Sequence, residues 1–135
     1  MTNVRSAAAI GAALIATACV STMLAGPAQA SHGGGGRTER ASGTCVNGAG
    51  TWKLKAKADD GLIAIEFEVD TNRVGQRWHV RITDNGATVR DRVATTVAPS
   101  GSFSLHPHTT NRAGTDVIRA RATRGDRVCA GVVRF

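Results

Sequence analysis

Apolar residues recur at every second position over long stretches of the chain beyond Gly50. Trp52, Leu54 and Ala56 alternate with Lys53, Lys55 and Lys57. Ile63, Ile65, Phe67 and Val69 alternate with Ala64, Glu66, Glu68 and Asp70, and Trp78, Val80 and Ile82 with Arg77, His79 and Arg81. Successive side chains of a strand point to opposite faces, so this period predicts strands with one apolar and one wet face. The period breaks at turn chemistry: Asp59-Asp60-Gly61, Asp70-Thr71-Asn72 through Gly75, and Asn85-Gly86, a pair suited to a tight primed hairpin turn. Further strands are predicted at Ala87–Thr95, Ser102–His106, Asp116–Thr123 and Arg127–Phe135, with Pro99-Ser100-Gly101 and Asn111 to Gly114 among their connections. No segment carries a capped helical stripe.

About seven short strands predict an all-β fold, an antiparallel sandwich that resembles the immunoglobulin or fibronectin type III architecture. A small β-barrel is the alternative. Trp78, on the third strand, stands by order where an immunoglobulin domain keeps its core Trp; it is expected in the core with an acceptor for its indole N–H. Trp52 is expected in the core as well.

The amino-terminal residues follow another pattern. Arg5 without a nearby acid, an apolar stretch from Ala7 to Leu24 and the small-residue site Ala28-Gln29-Ala30 read as a secretory signal peptide over residues 1–30. Two other fates for this stretch are an uncleaved membrane anchor and lipidation at Cys19. Residues 31–44, through Gly33 to Gly36 and then polar positions, read as a flexible Gly-rich leader, and 45–135 as a single β-sandwich domain. No later stretch approaches membrane-spanning length, so the processed product is expected to be secreted, extracellular and monomeric.

Cleavage would leave two cysteines, Cys45 and Cys129, near the two ends of the patterned region. In an oxidising compartment they are expected to form a disulfide stapling the amino-terminal edge to the last strand. Paired reactive thiols would instead need a redox-type spacing, which is not seen.

Charge adds a candidate function. The sequence carries 17 Lys and Arg against 10 Asp and Glu, a formal net charge of +7. Such a surplus attracts polyanions, including the anionic polymers of a bacterial envelope. The candidate polyanion-binding residues are Lys53, Lys55 and Lys57 on one wet face and Arg77, Arg81, Arg90, Arg92, Arg119 and Arg121 on others. A structural reading competes for the lysines. A hairpin around Asp59 to Gly61 that pairs Lys57 with Ala64 also sets Lys55 opposite Glu66 and Lys53 opposite Glu68, a cross-strand ion-pair ladder.

No catalytic, cofactor or metal motif stands out. His106, His108 and Asp116, with Ser100, Ser102 and Ser104, contain the residue types of an acyl-transfer site, but no nucleophile-elbow pattern accompanies them. His32 near the expected mature terminus, and the pairs Asp59/Asp60 and Asp70/Asn72, supply too few ligands for a dedicated copper or calcium site. The Ala, Gly, Arg and Thr bias is similar to that of small secreted proteins of high-GC actinomycete-type bacteria. The size and compartment are similar to those of secreted subtilisin inhibitors and enediyne-carrying apoproteins, without their reactive-loop or chromophore motifs. The expectation is a secreted, non-enzymatic binding or cell-envelope-associated module whose partner is an anionic polymer or another secreted protein. A soluble small-ligand carrier or protease inhibitor, and a hydrolase, are the alternatives.

Overall fold

A computed structural model describes residues 36–135. The expected signal peptide, Cys19, His32 and the leader up to residue 35 lie outside the described residues. Among the described residues nine antiparallel strands form two sheets. The first contains β1 (Thr38–Thr44), β2 (Thr51–Asp59), β3 (Leu62–Asp70) and β6 (Ser102–Leu105) in that order, and β7 (His108–Thr110) also pairs with β3. The second contains β5 (Ala87–Thr95), β4 (Arg77–Asp84), β8 (Val117–Arg124) and β9 (Arg127–Arg134), in the order β5-β4-β8-β9. The sheets stay separate and face one another, so the fold is a β-sandwich and the barrel alternative is set aside.

The alternating apolar positions meet between the sheets. Leu54, Ala56, Ile63, Ile65, Phe67 and Val69 from the first sheet pack with Trp78, Val80, Ile82, Ile118, Ala120 and Ala122 from the second, all fully or almost fully buried. Asp60 and Gly61, and again Asn85 and Gly86, occupy positive φ at the centres of the two hairpins, as the primed turn requires. The register of β2 and β3 is the one expected: Lys57 opposite Ala64, Lys55 opposite Glu66, Lys53 opposite Glu68.

Two strands depart from expectation. Residues 38–44, read as leader, form β1, paired along its whole length with β2. Its polar sequence gives no apolar signal because an edge strand is held largely by backbone hydrogen bonds to one neighbour. Arg37 fastens its start, with its guanidinium 5.1 Å from the centre of the Phe135 ring and Nη2 donating to the Arg134 carbonyl at 3.3 Å. The second is β7, a three-residue strand beyond Pro107.

Trp78 takes its expected place in the core, but each tryptophan departs from expectation in one respect. Trp52 is half-buried at the sandwich margin rather than central, with Gly43 of β1 and Gly131 of β9 against its ring. Trp78 is fully buried, but its Nε1 has no acceptor among the described residues. Burial of about 150–250 Å² of aromatic surface stabilises by about 4–6 kcal/mol, which exceeds the roughly 1–3 kcal/mol cost of one unmade bond.

The Cys45–Cys129 disulfide is formed. It joins the segment between β1 and β2 to β9, and so one sheet to the other. Among the described residues no helix is long and apolar enough to cross a membrane.

Candidate polyanion-binding face

Alternation along β4 and β8 turns Trp78, Val80 and Ile82, and Ile118, Ala120 and Ala122, into the core. The same geometry turns Arg77, His79 and Arg81, and Arg119, Arg121 and Thr123, outward. The register sets Arg81 opposite Arg121, Thr83 opposite Arg119 and His79 opposite Thr123. Directly opposed residues have Cβ atoms about 4.5–5.5 Å apart, and like charges in that position destabilise a sheet by about 0.2–1 kcal/mol. Arg119 and Arg121 follow each other on one face of β8 at about 6.5 Å. Arg134 of β9, opposite Val117, extends the same face.

Little anionic charge offsets this cluster: Glu39 of β1, which lines a groove with Arg119 and Arg134, has its Oε1 3.1 Å from Arg37 Nε. The four strands of the sheet carry two acids, Asp84 and Asp91. Asp84 is 1% exposed and points away from the face; its Oδ2 accepts from Arg112 Nη1 at 2.6 Å and Thr109 Oγ1 at 3.0 Å. Asp91 lies opposite Arg81 but is engaged by a neighbour, its Oδ1 standing 2.6 Å from His79 Nε2. Arg81 instead donates to Thr88 Oγ1 at 3.1 Å. Among the described residues, Arg77, Arg81, Arg119, Arg121 and Arg134 form no ion pair. Beside them the outward side of β9 offers Ala130 and Val132, which with Trp52, Gly131, Arg119 and Arg121 line a groove of about 420 Å³.

The lysines belong to a different surface. On the outer side of the first sheet Lys55 Nζ lies 3.0 Å from Glu66 Oε2, and Lys53 Nζ 3.6 Å from Glu68 Oε1. The hydrogen bond from Lys55 holds the Glu66 carboxyl below the ordinary glutamate value, against the upward push of partial burial, and the charges of Lys55, His106 and Lys53 lower it further. Lys53 and Lys55 are therefore half of a self-compensated ladder, and Lys57 stands beyond its end opposite Ala64. They do not join the arginine face, from which the thickness of the sandwich separates them. Arg90 and Arg92 do not join it either. Their partners are Ile82 and Val80, so they lie on the opposite side of β5 from Asp91 and Val93 and are exposed there.

Of the nominated residues the fold thus gathers Arg77, Arg81, Arg119 and Arg121. Sequence reasoning missed Arg134, although the alternation of Cys129, Gly131, Val133 and Phe135 with Ala130, Val132 and Arg134 marks it as outward.

The acyl-transfer residues are dispersed. Asp116 is fully buried, accepting from Asn85 Nδ2 and from the Arg112 backbone N–H, both at 3.0 Å. His108 faces Asp59 at 3.3 Å, and Ser100 bonds Ser102. Asp70 Oδ1 accepts from the Asn72 N–H, as a turn former does. No cluster of three or more His, Cys, Asp or Glu suited to a metal is present among the described residues.

Comparison with protein-family models, with curated proteins and with solved structures gave no match.

Proposed function

We propose that this chain is a secreted, non-enzymatic binding module whose arginine face holds linear, phosphate-bearing polyanions of the kind found in bacterial envelopes. The observation that carries this reading is the unpaired Arg81/Arg121 juxtaposition on the two central strands, flanked by Arg77 and Arg119. An exposed sheet needs no such arrangement, since opposed like charges oppose folding. Guanidinium groups donate parallel N–H pairs that match phosphate oxygens, so an anionic chain laid across the face relieves the repulsion and gains charge-assisted hydrogen bonds.

The amino-terminal signal pattern and the disulfide support export. The strand order supports an immunoglobulin-like reading: β5-β4-β8-β9 corresponds to the C′-C-F-G sheet, and β2-β3-β6 to A-B-E, with β1 as an added edge strand.

The test is anisotropy of labelled linear polyphosphate and of a single-stranded oligodeoxynucleotide across a salt series. Four phosphate contacts give a slope of log K against log salt near −3 for a single-stranded polyanion, at about −0.7 per contact. Arg81→Gln with Arg121→Gln should shallow that slope by about 1.4. Lys53→Gln with Lys55→Gln should leave it unchanged. A salt slope that responds to the lysine pair and not to the arginine pair would refute the proposal.

A further inference from the structure

At the end of the sandwich held by the disulfide, three connections converge. They are the turn Val46–Gly48 between β1 and β2, the link from β3 to β4, and the start of β9. They line a partly open pocket of about 180 Å³, formed by Asn47, Thr71, Arg73, Gln76 and Arg127, together with Gly48 and Ala49 of the turn. The volume is several times the roughly 30 Å³ share of one water molecule. It is smaller than the roughly 300–1,000 Å³ of drug-sized ligand pockets. A small ion is therefore the fitting occupant.

Its lining is polar and incompletely satisfied. Gln76 is 9% exposed; its backbone N–H donates to Thr96 Oγ1 and its carbonyl accepts from the Thr96 N–H, both at 2.9 Å. The side-chain Oε1 of the same residue is buried with no partner among the described residues. An amide oxygen accepts and would repel an anion, but oxygen and nitrogen exchange places on a half-turn, and the turned amide sets the Nε2 donor in that buried position. Arg73 and Arg127 form no ion pair among the described residues. The nearby carboxylates are engaged by turn donors: Asp126 Oδ2 accepts from Asn47 Nδ2 at 3.0 Å, and Asp70 Oδ1 from the Asn72 N–H at 3.1 Å.

The scaffold around these groups is fixed. Thr71 Oγ1 donates to the Gly101 carbonyl at 2.9 Å and accepts from the Arg73 N–H, while the Thr96 hydroxyl donates to the Arg73 carbonyl. Cys45, one residue before the turn, is tied to β9 by the disulfide. The backbone that carries the donors is therefore tethered, and binding has to immobilise only the two arginine side chains, at about 0.5–1.5 kcal/mol each.

We infer that this cavity is a small-oxyanion site, in which the Arg73 and Arg127 guanidiniums and the Gln76 carboxamide receive phosphate or sulfate, free or as the terminal ester of a larger molecule. This inference stands apart from the arginine face: it uses other side chains and a recessed pocket instead of an open sheet.

The test is NMR of the ¹⁵N-labelled protein titrated with inorganic phosphate and then sulfate, with total ionic strength held constant by sodium chloride. The expected result is saturable shifts at the Gln76 side-chain amide and the Arg73 and Arg127 Nε–H groups. They should weaken at least tenfold in Arg73→Gln with Arg127→Gln and persist in Arg81→Gln with Arg121→Gln. Both arginine pairs are on the surface, and the remaining amide spectrum reports that each variant is folded. Competition by methyl phosphate with equal affinity would identify the terminal ester as sufficient; preference for the free ion would identify inorganic phosphate. Shifts that rise without saturation, or that survive loss of both Arg73 and Arg127, would overturn the assignment.

Discussion

Gly131→Ala isolates the contact that joins the two sheets at their margin. A Cβ placed on Gly131 would lie 2.2 Å from Cζ3, 2.6 Å from Cη2 and 2.9 Å from Cε3 of Trp52. The ring cannot slide away freely, because a Cβ on Gly43, on β1, would itself lie 2.9 Å from its Cζ2. Trp52 is thus held between two strands that meet it with backbone alone. Gly131 lies within regular strand β9, where alanine is conformationally acceptable, so the cost is steric. Forcing a methyl into such packing costs about 1–3 kcal/mol, and the confined ring places this site at about 2–3. With an unfolding entropy of about 2.1 cal/mol/K per residue over a domain of about 100 residues, each kcal/mol lowers Tm by about 5 °C, so the fall should be about 10–15 °C. Guanidinium melts of wild type, Gly131→Ala, Trp52→Leu and the double variant complete a thermodynamic cycle. In the Trp52→Leu background the added methyl should cost less than about 1 kcal/mol, since it fills space that the indole vacates. Equal costs in both backgrounds, within about 0.5 kcal/mol, would refute the contact as the reason glycine is required.

Three other outcomes follow from the structure. The disulfide spans a sequence separation of 84 residues, so Cys45→Ser with Cys129→Ser should remove about 4.5 kcal/mol and lower Tm by about 20 °C, read from thermal melts; a fall of only a few degrees would contradict this. Arg112→Ala should cost about 3 kcal/mol in chemical denaturation because it strips Asp84 of its cationic partner, and adding Asp84→Asn should restore part of that loss; no recovery would show that the buried charge is not the cause. The Glu66 carboxyl titrates below the ordinary glutamate value, so its contribution is complete above the unfolded value and is lost as pH falls through the folded one. Because both partners are more than a third exposed, Glu66→Gln should remove only a few tenths of a kcal/mol near neutrality, and Lys55→Met should raise the Glu66 midpoint in a carbon-detected NMR titration.

The parts of this fold that were legible from sequence are those in which a local rule fixes a longer-range outcome. The Asp60-Gly61 turn sets the β2/β3 register, and that register alone makes Glu66 and Glu68 the partners of Lys55 and Lys53. Charge compensation within a hairpin can accordingly be read directly from the chain. Strand β1 escaped notice because its pairing depends on backbone groups and on Arg37 reaching Phe135, neither of which leaves an apolar period. Residue type alone marks Arg90 and Arg92 as candidates, but the bulge at Ile82/Thr83 and the pairing of β5 with β4 put them on the side away from Arg81.

The arginine face lies at the other limit of legibility. Alternation shows that Arg81 and Arg121 each point outward from their own strands, but it cannot show that β4 and β8 are neighbours. That adjacency arises when the two sheets bury Trp78, Ile82, Ile118 and Ala122, a demand of the core that is indifferent to the charges on the far side. A local hairpin lets opposite charges settle opposite each other at no cost to packing, as the lysine ladder does. A non-local pairing is dictated by apolar complementarity and leaves its outer face with whatever charges the strands carry. An under-compensated cluster on such a pairing is therefore more informative than a run of lysines along one strand: the run can be neutralised within its hairpin, whereas the cluster keeps most of its donors available to an anion from outside.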